Sequence, residues 1–198
     1  MKKNMQQFKN LFFGTAMAFV AMVALLSCEN TNTKDSKEIA QEHNDAKFAN
    51  DKEDNADFLV NAAEMNLMVA QLGRLAQTKG SITKVQEVGK TMEEDHNKAS
   101  EELSKLAQQK QVTIPLVLTE EGLEAHKRLI ETNAADFDFD KEYIDLMVST
   151  HKDAIRDFEE AANDSSDPEI RSWASKMLPS LREHLDTFIT YQNQLNRM

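Results

Sequence analysis

The sequence predicts an all-α protein, a bundle of four long helices in two antiparallel hairpins joined by a long connection that contains a short helix. Three observations carry that prediction. Apolar residues recur at spacings of three and four along four long stretches, which keeps them on one helix face. Period-two alternation is scarce, so strands have little support. Tight stop-and-start signals separate the first two stretches and the last two, whereas a longer segment with Pro115 separates the middle pair.

The chain opens with a segment that is not part of the bundle. Lys2, Lys3 and Lys9 accompany an apolar run from Leu11 to Leu26 that is too short for a membrane span, so residues 1–27 read as an export signal. The run ends at Leu25-Leu26-Ser27-Cys28 and turns polar at once with Glu29-Asn30-Thr31-Asn32. This resembles a bacterial lipoprotein signal, in which Cys28 becomes the lipidated first residue of the mature chain. The alternative is an ordinary signal with an incidental cysteine. A lone thiol in an exported protein argues against it, since Cys28 is the only cysteine and no intrachain disulfide is available to it. Lipidation implies attachment to a membrane through acyl chains, without a spanning segment.

From Cys28 onward the chain carries 20 basic and 34 acidic residues, a formal charge of −14. Such a surface repels phosphate backbones and excludes nucleic acid as a natural partner. Residues 28–55 are rich in Asn, Asp, Lys and Glu, with Ile39 and Phe48 as the sizeable apolar side chains. They read as a disordered acidic tether containing a solvated His43, able to hold a domain about 30 Å from its anchor.

The bundle domain then occupies residues 56–198. The first helix covers about 54–79, with Phe58, Ala62, Met65, Val69, Leu72 and Ala76 on one stripe. Gly80 stops it and Ser81 caps the next, which covers about 81–110. Its seam is Ile82, Val85, Gly89, Met92, His96, Ala99, Leu103 and Leu106. Residues 111–118, with Pro115, break the helix, and Thr119 opens a short one to about 131. The third long helix starts at Asp138 or Asp140, either of which caps it, and runs to about 163 along Ile144, Val148, His151, Ile155, Phe158 and Ala162. Asp167-Pro168 starts the fourth, with the seam Ile170, Ala174, Met177, Leu181, His184, Phe188, Tyr191 and Leu195. Pro179 lies inside it and predicts a kink near His184. This connectivity is that of ferritin-like folds.

Three of these seams carry a histidine, and the three fall near one level. Glu64 and His96 are each about 24 Å from the first hairpin turn, and His151 and His184 are about 21 and 28 Å from the second. Imidazoles on a buried seam need partners. A metal is one partner, with His96, His151 and His184 as ligands and the carboxylates of Glu64 and Glu93 beside them. Zinc, copper and iron all accept such donors. Met92 and Met147 each precede a seam histidine by one turn, and thioether beside imidazole favours copper, although methionine on a helix stripe is ordinarily core filler. The alternative is a structural layer in which the histidines are satisfied by hydrogen bonds. His126, on the short helix, stays outside the layer as a surface residue. Tyr143 and Tyr191 read as core-edge residues.

Taken together, Ala63-Glu64, Met92-x-x-Asp95-His96, Leu103-x-x-Leu106-Ala107, Phe139-Asp140-x-x-Tyr143-x-x-x-Met147-Val148-x-x-His151 and Leu178-Pro179-x-Leu181-x-x-His184-Leu185 resemble a bacterial family, domain of unknown function 4142. Its members are described as ferritin-like or as outer-membrane proteins. The resemblance spans residues 57–195 and implies a helical bundle in the bacterial cell envelope; with the Cys28 signal, the expected place is a lipid-anchored one at the outer membrane, facing the periplasm. The resemblance brings no established activity. A di-iron site of the ferritin type needs two Glu-x-x-His pairs and two further glutamates. The chain offers one pair, Glu93-x-x-His96, because Val148 and Leu181 stand three residues before the other two histidines. Phosphate-binding glycine loops, His-Glu-x-x-His and Gly-x-Ser-x-Gly are all missing from the sequence. Metal or ligand binding is therefore expected ahead of an interaction module, and a redox enzyme comes third.

Overall fold

The computed structural model describes residues 34–49, 51–132 and 137–197. The export signal, Cys28 and the start of the expected tether lie outside the described residues. Within them there are six helices and no strand: α1 (Ser36–Asp45), α2 (Asp51–Lys79), α3 (Thr83–Lys110), α4 (Glu120–Glu131), α5 (Asp138–Asp164) and α6 (Pro168–Leu195). The all-α expectation holds.

Helices α2 and α3 form one tightly packed pair and α5 and α6 the other. Pairs of touching residues run in opposite senses along each couple. Arg74 meets Glu93 while Asn66 meets His96, and Gln192 meets Asp145 while Arg182 meets Glu159. Between the pairs, α3 reaches α6 through Asp95–His184, Glu102–Lys176 and Lys110–Asp167. Close approach of α2 to α3 depends on two glycines. A Cβ on Gly73 would stand 2.5 Å from the Gly89 carbonyl, and one on Gly89 would stand 2.7 Å from that of Gly73. Neither position has room for a larger side chain.

The helix ends show how local chemistry sets the boundaries. Asp167 accepts hydrogen bonds from the backbone N–H of Glu169 and Ile170 at 2.9 and 3.2 Å, with Pro168 in the first turn, as expected. Thr119 caps α4 by accepting from Gly122 N–H at 3.2 Å. The start of α3 differs from expectation. Its N-cap is Ile82, which offers no capping side chain, and the cap comes from another helix. Asp140 of α5 accepts from Ser81 N–H at 3.1 Å and lies 3.5 Å from Ile82 N. Asp140 was expected to cap its own helix. The chain enters α5 instead through Phe137 in a left-handed conformation (φ 62°), and the fully buried Asp140 is free to serve α3. Helix α6 runs unbroken through Pro179, which faces solvent together with Ser175, so the carbonyl released by the proline can be hydrated.

A larger departure concerns residues 28–55. Much of the expected tether is ordered: 36–45 form α1, and α2 begins at Asp51. Asn44 explains it. Its side chain donates to Thr113 O and accepts from Thr113 N–H, both at 2.8 Å, and is buried. Asp35 caps α1 through Ser36 N–H at 2.7 Å and accepts from Glu120 N–H at 2.9 Å. His43, expected to be solvated, is exposed but has Thr113 Oγ1 at 2.6 Å from its Nδ1. Polar side chains thus hold α1 against the long connection where apolar area is scarce.

The core has two halves. Met68, Val69, Leu72, Val85, Met92, Phe139, Ile144, Met147 and Phe188 belong to one, near the α2–α3 turn. Leu59, Ala62, Leu103, Leu106, Phe158, Ile170, Trp173 and Leu181 belong to the other, near the α5–α6 turn. Between these halves each long helix contributes one buried polar residue: Asn66, His96, His151 and His184.

Candidate metal centre

His96, His151 and His184 meet in this layer. Their ring centroids form a triangle with every side 5.5 Å. One nitrogen of each ring lies within 4.8 Å of its counterparts, and no other His, Cys, Asp or Glu of the described residues joins the group. All three rings are buried, His151 completely. Phe188 covers His151 at 5.1 Å between centroids, which closes the layer on the side of the first core half.

The outer nitrogens are committed to acceptors. His151 Nδ1 donates to the Met147 carbonyl at 2.8 Å; a carbonyl only accepts, so the proton sits on Nδ1. His184 Nε2 faces Asp95 Oδ2 at 3.0 Å and donates to that carboxylate. His96 Nδ1 donates to Asn66 Oδ1 at 2.8 Å. What remains is His96 Nε2, His151 Nε2 and His184 Nδ1, each buried and without a hydrogen-bond partner among the described residues. Neutral imidazole carries a proton on one nitrogen only, so all three remaining atoms present lone pairs. Three acceptors cannot satisfy one another. A cation bound between them can satisfy all three, and outer nitrogens bonded to a carboxylate, a carbonyl and an amide oxygen are the usual support of metal-ligating histidines.

At His96 and His151 burial opposes protonation as an alternative. Burial, followed by repulsion from His151 and His184, holds His96 well below the ordinary histidine range. Burial likewise lowers His151 to about 4, with the Met147 carbonyl partly opposing it.

The two carboxylates expected beside the histidines are not there. Glu64 is buried, but its Oε2 lies 2.5 Å from Lys37 Nζ of α1. It sits about 200° around α2 from Asn66, on the face turned away from His96. Glu93 is bonded to Arg74 Nε at 2.8 Å and Gln77 Nε2 at 2.6 Å, and those bonds lower its pKa. Arg74 and Gln77 lie about 12 and 16 Å farther along α2 than Asn66, so Glu93 turns away from the layer. Asn66 and Asp95 stand behind two of the rings instead, as acceptors for their outer nitrogens and not as members of the ligand group. Asp95 stands beside His96 in the sequence, yet on α3 it projects towards α6, where it meets His184. His126 is half-buried on α4 and apart from the group. Tyr143 is not at the core edge but fully buried, with its phenol pKa raised by burial, while Tyr191 is half-buried.

Fold and site together define a class, an all-α bundle domain with a buried three-histidine layer. The chain belongs to the family described as "Domain of unknown function (DUF4142)", whose model matches residues 39–190. No curated protein and no solved structure matches it significantly.

Proposed function

We propose that the helical domain binds one transition-metal ion through His96 Nε2, His151 Nε2 and His184 Nδ1, with zinc, copper and iron as the candidate metals. The observation that carries this reading is the convergence of three buried lone pairs whose partner nitrogens already donate elsewhere. A purely hydrogen-bonded layer of neutral rings needs a donor for each of those atoms, and neutral rings in these tautomers offer one another none. The role is binding or buffering rather than turnover, because the two-metal carboxylate set of an oxidase is missing and both nearby glutamates are held by other side chains.

The setting is the bacterial cell envelope, with the chain lipidated at Cys28 and facing the periplasm from the outer membrane. The sequence around Cys28 and the acidic composition support it. No helix of the described residues is long and apolar enough to cross a membrane, which is compatible with attachment by acyl chains.

Metal stoichiometry tests the reading. Full-length protein, purified in detergent without chelator or affinity tag, is expected to hold near one equivalent of a single transition metal. A His151→Ala variant with unchanged helicity should hold none. Protein that stays metal-free after exposure to zinc, copper and iron overturns the reading.

A further inference from the structure

We infer that the ion is monovalent copper, Cu(I), held by three nitrogens with Asp95 as its balancing charge. This rests on the metal-site reading above and adds the identity and charge of the ion. The starting point is the donor set. It consists of three neutral imidazoles, with no further His, Cys, Asp or Glu among the described residues within reach. A structural zinc site is ordinarily four-coordinate and catalytic zinc keeps a water in the fourth position. Cu(I), a closed-shell monocation, is content with three donors in a plane.

Charge points the same way. The rings are 0–7% exposed, and the cost of placing an ion in such a medium rises steeply with its charge. One carboxylate touches the set, Asp95 through His184 Nε2 at 3.0 Å. Glu64 and Glu93 are neutralised by Lys37 and Arg74 and cannot contribute a second negative charge. One carboxylate balances a monocation and leaves a dication half compensated.

The test is an anaerobic competition on full-length protein in detergent. Cu(I) is presented as its bicinchoninate complex, and Zn(II) as its complex with 4-(2-pyridylazo)resorcinol. The protein is expected to remove one equivalent of Cu(I) and to keep it in a molar excess of Zn(II). X-ray absorption should report three nitrogen scatterers and an edge feature of three-coordinate Cu(I). Asp95→Asn retains an acceptor for His184 but loses the charge, and its half-exposed position spares the fold. It is expected to weaken Cu(I) by about 10–100-fold, as changes behind a metal ligand commonly do. Tight Zn(II) with no Cu(I) uptake overturns this inference and leaves the metal site standing. Binding of neither ion overturns both. Unchanged Cu(I) affinity in Asp95→Asn refutes the charge balance.

Discussion

At the scale of single residues, the histidine layer works through what stands behind each ring. Asn66 shows this most clearly. Replacing it with leucine leaves the His96 Nδ1 donor buried without a partner, at a cost of about 1–3 kcal/mol in chemical unfolding. The same change should lower metal affinity about 10–100-fold, because the ring loses its orientation. The pH dependence of the metal-free protein has a definite sign. His151 titrates at about 4 when folded and near 6.5 when unfolded, so the unfolded chain takes up the proton first. Stability should therefore be complete above about pH 6.5 and decline as pH falls towards 4, by at most about 3 kcal/mol from this residue. Denaturation midpoints of wild type and His151→Leu between pH 7.5 and 4.5 check it, with a shallower slope expected in the variant. The three histidines were legible in the sequence because seams of period three and four place them inward. Asn66 was not, because α2 packs against α1, α3, α4 and α5 and so has no single buried stripe. Glu64 was misassigned for the same reason: it is buried, but towards α1.

At the scale of elements, caps decide where helices begin, and one of them is long-range. Asp140→Ala removes the acceptor for the start of α3 and should cost about 1–3 kcal/mol, loosening the α2–α3 turn first. Amide hydrogen exchange at Ser81 and Ile82 should rise more than elsewhere. Asp167-Pro168 and Thr119 were readable as caps because each serves the helix it precedes. Asp140 was not readable in its true role, since a cap donated from 59 residues away leaves no local pattern. Helix α1 was hidden for a related reason. Its sequence lacks an apolar seam, and it is fixed by Asn44, Asp35 and Lys37 acting on partners distant in the chain.

At the scale of the whole molecule, the all-α class and the packing of α2 on α3 and of α5 on α6 follow from where the seams and turns fall, and that much was legible in the sequence. Less visible was the division of the core into two apolar halves by a polar layer, which depends on the relative height of four helices. The layer also has a consequence in time. His96 belongs to the first hairpin, and His151 and His184, 55 and 88 residues farther on, belong to the second. Each hairpin carries only part of the ligand set, so an ion bound as proposed would join after the two hairpins have docked. Interactions made that late slow unfolding and leave the folding rate nearly unchanged. Stopped-flow measurements with and without metal should show slower unfolding in the loaded protein and an unchanged folding arm. An ion held as proposed would tie the first hairpin to the second, so its departure would become a step that unfolding has to await.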